Sequence, residues 1–255
     1  MTDNGGMNMD ELRTEESTTG GNIAFKMFID PAEGFRTLST TPVFIAVSLV
    51  VALCVMVLSI AIIETVGFER IVAEQINNSP QTADLPKEQR QEIIESQSSP
   101  VIKYVAFAGG GIATLVFVLL GGLYYWFAMN ALGAKVRFPH GVAVFSYSSL
   151  PPTVLLVVSN LVVLALKPVD EIAALAGRNS GLVQANLSVL LGSDSSPALR
   201  ALLESLDFFA IIGWILAALG IRIVGKVSTG TAVGIVALGA LFGIAVRVAG
   251  SALFG

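Results

Sequence analysis

Residues 208–227 read FFAIIGWILAALGIRIVGKV, and residues 231–253 read TAVGIVALGALFGIAVRVAGSAL. Each is an apolar run of the ~20 residues that a helix rising 1.5 Å per residue needs to cross about 30 Å of hydrocarbon. Their only charges are Arg222, Lys226 and Arg247. The few residues between the runs leave room for nothing longer than a tight turn, so they form an antiparallel membrane hairpin. Three more runs, at 42–63, 104–128 and 142–166, are long and apolar enough to span. The expected architecture is an all-α integral membrane protein, with five transmembrane helices in a bundle.

The composition agrees. Of 255 residues, 54% are hydrophobic and 13% charged, and the mean hydropathy is +0.75. A soluble domain carries about 25% charged residues and could not solvate this much apolar surface. Cys54 and His140 are the only residues of their types. That excludes an intrachain disulfide, a zinc site built on Cys and His, haem attachment and iron–sulfur ligation. No cofactor, metal or nucleic-acid partner is expected.

Three regions follow. Residues 1–23 mix Gly, Thr and Asn with the acids Asp10, Glu11, Glu15 and Glu16, and should form a disordered acidic tail. This tail lacks the basic start and early apolar run of a secretory signal, so the first span reads as an uncleaved anchor. Residues 24–40 carry Asp30-Pro31-Ala32-Glu33, an N-cap followed by a first-turn proline and an acid, which opens a short helix. Its Phe residues mixed with Lys26 and Arg36 predict an interfacial amphipathic segment lying flat on the bilayer, against the plainer alternative of a linker. Residues 41–254 are the five-helix domain. Its two long connections, 64–103 and 167–207, contain short amphipathic stretches and the helix start Ser196-Pro197, and are expected to form a helical cap.

Orientation follows from Lys and Arg near the span ends. The short turns and adjoining helix ends carry Lys135, Arg137, Arg222 and Lys226 and no acid, whereas the long connections hold seven basic residues against twelve acids. The N-terminus is therefore expected in the cytoplasm and the C-terminus and cap outside it. Lys135, Arg137, Arg222 and Lys226 are expected headgroup contacts, as is His140. Lys226 also ends Gly220–Val227, a near match to a phosphate-binding loop. Val227 stands where Ser or Thr must ligate magnesium, and no strand precedes the glycine, so snorkelling to headgroups explains the lysine better.

Four features of the interior remain. Counted from the hairpin turn, Asp207 and Arg247 reach similar depth, and an unpaired Arg in hydrocarbon costs at least ~2.5 kcal/mol. An Asp207–Arg247 pair is expected, with Glu64 the competing acid, and Arg247→Leu and Asp207→Asn should each reduce folded yield. The pair either locks the hairpin or belongs to an ion path. In the third span, Tyr147-Ser148-Ser149-Leu150-Pro151-Pro152 breaks the helical ladder near mid-depth, because each proline removes a donor. Such a broken helix is either a packing kink or a binding site, and Asn160 adds a further polar group to the same span. Finally, Gly121-Gly122, Gly109-Gly110-Gly111, Gly230/Gly234 and Gly239/Gly243 suit close helix approach, within the bundle or between copies.

Several of these stretches bear a family likeness. Phe28-Ile29-Asp30-Pro31 through Phe35 has the form F-x-x-P-x-x-x-F ahead of Pro42. Tyr147-Ser148-Ser149-Leu150-Pro151 is similar to a Tyr-Ser-x-x-Pro signature, and Leu206-Asp207-Phe208-Phe209 with Trp214 introduces the fourth span. In these the chain resembles the Yip family of multi-span membrane proteins, in its bacterial branch. The resemblance implies a five-span helical domain with a cytosolic N-terminus, in a bacterial cytoplasmic membrane, and makes Tyr147, Pro151 and Asp207 the residues to mutate first. Eukaryotic relatives bind Rab-type GTPases, but their Asp-Leu-Tyr-Gly-Pro motif is missing ahead of the first span, so GTPase binding is not carried over.

Two functions compete. One is a non-enzymatic scaffold or accessory subunit that organises lipids and another membrane protein or complex, or a second copy of itself. The other is a small-solute or ion transporter using the broken third span and the Asp207–Arg247 pair. An enzyme is not expected, for no Ser–His, Cys–His, paired-carboxylate or metal-binding pattern is visible.

Overall fold

Apolar runs in lipid must satisfy their own backbone and so become helices. In the computed structural model, which describes residues 20–82, 84–176, 182–192 and 195–254, the elements run in chain order as follows. Helix α1 covers residues 20–29 and α2 Pro31–Thr40; α3 is Ile45–Val66, α4 Phe68–Asn78, α5 Lys87–Gln97 and α6 Pro100–Ala131. Then come α7 at Phe138–Leu166, α8 at Val169–Ala176, α9 at Pro197–Ser205, α10 at Phe208–Gly225 and α11 at Thr229–Phe254. Among the described residues, helices α3, α6, α7, α10 and α11 are the five long and apolar enough to cross a membrane. The five-helix bundle is thus as expected, with span ends moved by a few residues.

Helix α7 is the hub, packing on α3, α6 and α10. Its contact with α6 depends on two glycines. A Cβ at Gly141 would run into the carbonyl of Gly122 and lie 2.7 Å from the backbone N of Trp126, and one at Gly122 would lie 2.6 Å from Cα of Val142. The two backbones touch where the helices cross. Gly110 and Gly111 give α6 a looser version of this contact with α3, where an added Cβ would lie 3.1 Å from Ser59 Oγ and 3.3 Å from the Ala52 carbonyl, respectively. The last helix behaves differently: a Cβ at Gly239 would meet the ring of Tyr124, while one at Gly234 or Gly243 would meet no other element within 4 Å. Only part of the expected glycine packing is therefore used inside the bundle.

The segment before the first span is corrected. Residues 20–23, expected in the tail, begin α1, and residues 1–19 lie outside the described residues. Asp30 Oδ1 accepts from Glu33 N–H at 3.1 Å and Pro31 opens α2, so the helix start is as expected. Glu33 does not complete a capping box, since its carboxylate turns to Arg36 and Lys26. Nor does the segment simply lie flat on lipid. Ile23, Met27, Phe35 and Leu38 are buried in the main core, the Phe35 ring resting on Gly220 of α10. Phe25, Phe28 and Ile29 stay exposed, so one face docks in the bundle and the other remains free for the interface.

At the opposite end the long connections do form a helical cap. Ile71 of α4, Ile172 and Ala173 of α8, and Leu182 close over Ile63 and Val66 of α3. Gly67, at φ +91°, turns the chain from α3 into α4. Ion pairs Arg70–Asp170 at 2.7 Å and Lys167–Glu171 at 2.8 Å decorate it, but as exposed pairs they contribute at most about 1 kcal/mol each.

Candidate functional site

The third span is not broken: α7 stays helical through Pro151 and Pro152. Prolines cannot donate to the carbonyls of Tyr147 and Ser148, four residues back, so two ladder bonds are lost there. Packing on three neighbours holds the helix regular despite this. The hydroxyls of Ser148 and Ser149 both donate to the carbonyl of Phe145, at 3.0 and 2.8 Å, crowding extra bonds onto the turn before the gap.

Beside the gap lies an open cleft of about 360 Å³ between α7 and α10. Ser148, Ser149, Pro152 and Thr153 of α7 line one side and Asp207, Phe209, Gly213 and Trp214 the other, and Tyr125 of α6 and Phe145 of α7 also line it. Gly213 lets α10 approach, lying 3.6 Å from the Pro152 ring and 3.9 Å from the Ser148 carbonyl measured to an added Cβ. The proline stretch and the start of the fourth span, 55 residues apart between Pro152 and Asp207, thus meet in one place. Tyr125 and Thr153 were not singled out from the sequence. Thr153 was findable, since it sits four residues after Ser149 and so on the same helix face. Nothing local marks Tyr125, which arrives from another helix.

The other candidates go elsewhere. Tyr147, 1% exposed, turns its hydroxyl away from the cleft to the Gly20 carbonyl at 3.4 Å, tying α7 to the start of α1. Pro151 is buried without lining the cleft. Ser146 pairs with Ser48 of α3 at 2.8 Å. Asn160, 3% exposed, accepts from Leu182 N–H at 3.2 Å and donates to the Leu156 carbonyl at 2.7 Å, anchoring the cap connection. Glu64 pairs with Lys103 at 2.8 Å and competes for nothing else. Lys135, Arg137, Arg222 and Lys226 are exposed at the end away from the cap. His140 is not with them at the surface: its ring is buried, with Nδ1 3.3 Å from the Arg137 carbonyl.

The Asp207–Arg247 pair does not form. Arg247 instead bonds Glu204 of α9 at 2.7 Å, and the Glu204 side chain is only 14% exposed. The expected acid is replaced by one three residues earlier in the chain, because α9 packs on α11 and brings Glu204 to Arg247. Asp207 is spent on α10 itself, Oδ1 accepting from Phe209 N–H at 2.8 Å and Ala210 N–H at 3.3 Å. It is an N-cap, and asparagine caps as well as aspartate. Asp207→Asn should therefore unfold thermally like the wild type in detergent, whereas Asp207→Ala should lose about 1 kcal/mol. Equal losses for both would show that the charge, not the cap, is what matters.

Among the described residues, no group of three His, Cys, Asp or Glu side chains is arranged to hold a metal ion. The cleft offers hydrogen-bonding hydroxyls, one carboxylate oxygen and aromatic edges.

Comparison with curated proteins and with solved structures returns no match. Comparison with family models does: that of the Yip1 domain matches residues 25–249, taking in α2, the cleft and all five spans, and the chain belongs to the Yip1 domain family.

Proposed function

We propose that this Yip1-domain protein is a non-enzymatic scaffold or accessory subunit, organising a membrane-protein partner and lipids in a bacterial cytoplasmic membrane. Its N-terminus lies in the cytoplasm and its cap outside. The charge asymmetry of the connections supports that orientation, and the family likeness supports the setting.

The observation that carries the reading is where the polar side chains of the spans go. Ser48, Ser146, Ser148, Ser149, Tyr147 and Asn160 all bond to nearby backbone or to each other. What they leave is a lateral cleft with polar and aromatic walls, of the kind a neighbouring helix fills. A transporter would draw on the same cleft, but the two charges meant to serve it are apart: Asp207 caps a helix and Arg247 pairs with Glu204.

Photocrosslinking tests this. A photoreactive residue at Thr153 should yield a discrete adduct with a second membrane polypeptide in cells, and Val162, exposed on α7 beyond the cleft, should not. Thr153→Trp, which plugs the cleft, should abolish co-purification of that polypeptide while the protein stays monodisperse. A Thr153 adduct no different from that at Val162 would overturn the reading. So would solute flux in reconstituted vesicles that Thr153→Trp blocks.

A further inference from the structure

A second cavity lies on a neighbouring face of α10, sharing only Trp214 of that helix with the cleft. It is a groove of about 630 Å³ between α10 and α11, walled by residues such as Ile211, Ile215, Val233 and Ala237. Arg222 and Thr229 close its end away from the cap. The geometry points to a seat for one anionic phospholipid, its acyl chain in the groove and its phosphate at Arg222.

Three features define the occupant. The groove walls are apolar along their length, so it takes hydrocarbon. Ile211 lies about 16 Å from Arg222 along α10 at 1.5 Å per residue, which matches the depth of one leaflet in a core of about 30 Å. Its mouth is built for an anion. Arg222 and, one turn on, Lys226 are exposed and make no ion pair among the described residues. The amino end of α11 is at the same mouth. There Ser228 Oγ takes the N–H of Thr231 at 3.1 Å, and those of Thr229 and Gly230, in the same first turn, have no partner within the helix. First-turn N–H groups and the positive helix end favour phosphate. The left-handed φ of +53° at Lys226 folds the chain so that both helix ends share this mouth.

A second copy of the chain fits worse. Packed about a two-fold axis along the bilayer normal, it would bring its own Arg222 and Lys226 to the same depth, like charge against like. The proposal deepens the lipid half of the proposed function and stands apart from the partner half, because the partner cleft is probed at Thr153 and the groove at Arg222.

Native mass spectrometry of the full-length protein in mild detergent, titrated with phosphatidylglycerol, tests it. Wild type should retain one phosphatidylglycerol in preference to phosphatidylcholine. Arg222→Gln should bind about tenfold more weakly, as expected for one lost charge-assisted bond. Ala237→Phe, an exposed substitution that fills the groove, should weaken binding as much; Val233→Trp serves if that variant misfolds. Arg137→Gln, at the same end but outside the groove, should bind as wild type does. Equal retention by Arg222→Gln and Ala237→Phe would overturn the seat, as would an equal loss in Arg137→Gln. A dimer mass that Ala237→Phe abolishes would give the groove to a second copy. Thermal stabilisation by inorganic phosphate alone, unaffected by Ala237→Phe, would reduce it to a phosphate site.

Discussion

Gly141→Val should leave little folded protein. A Cβ at this position meets backbone, the carbonyl of Gly122 and the Trp126 nitrogen at 2.7 Å, so no side-chain rotation relieves it. Overpacking a well-filled contact costs about 1–3 kcal/mol, and a backbone-on-backbone clash belongs at the upper end or beyond. Burial of apolar surface from water does not drive helices together inside lipid, so close contact is the main source of attraction between α6 and α7. Separating them by the width of a methyl group therefore removes much of what joins them. Gly122→Val should behave alike. Gly234→Ala and Gly243→Ala are the controls: the added Cβ would meet no other element within 4 Å, and trading glycine for alanine in an open helix stabilises by about 0.5–1 kcal/mol. Thermal unfolding in detergent, followed by tryptophan fluorescence, separates the two classes. A Gly141→Val protein as stable as Gly234→Ala would dissolve the crossing as a determinant of the fold.

Phe35→Ala should release α1 and α2 from the bundle. Phe35 is 0% exposed and its ring fills the space above Gly220. In a soluble core this change costs about 3–5 kcal/mol. The undocked segment would keep its apolar face against lipid, so much of the transfer part is not lost, and about 2–3 kcal/mol of packing and cavity cost remains. Limited proteolysis should show the difference, with cleavage within residues 20–40 rising in the variant. Gly220→Ala should destabilise on its own, since the new Cβ would lie 2.7 Å from Phe35 Cε1. In Phe35→Ala it should cost much less, because the ring it meets is gone. Additive losses in that double-mutant cycle would mean that the two residues do not touch in solution.

How much of this was legible beforehand differs from residue to residue. The helix starts at Asp30-Pro31 and Ser196-Pro197 were readable because caps are local: the side chain bonds an N–H three residues ahead. The partner of Arg247 was not readable, because Glu204 and Asp207 lie three residues apart in the chain, and only the packing of α9 on α11 chooses between them. The cleft was half legible. Its proline wall and its Asp207 wall each stood out alone, but nothing in the chain said they would face one another, or that Tyr147 would turn away to Gly20.

Length and apolar composition alone determined that five helices are long enough to span and, to within a few residues, where each lies. A continuous apolar run of this length satisfies its backbone in lipid within itself, as a helix, so these properties hold segment by segment. Tertiary structure decided which helices touch at glycine, that the segment before the first span docks through Phe35, and which acid meets Arg247. Those outcomes depend on shape match between surfaces far apart in the chain, and in a solvent as apolar as the helices themselves, hydropathy does not distinguish a face that packs from one that meets lipid.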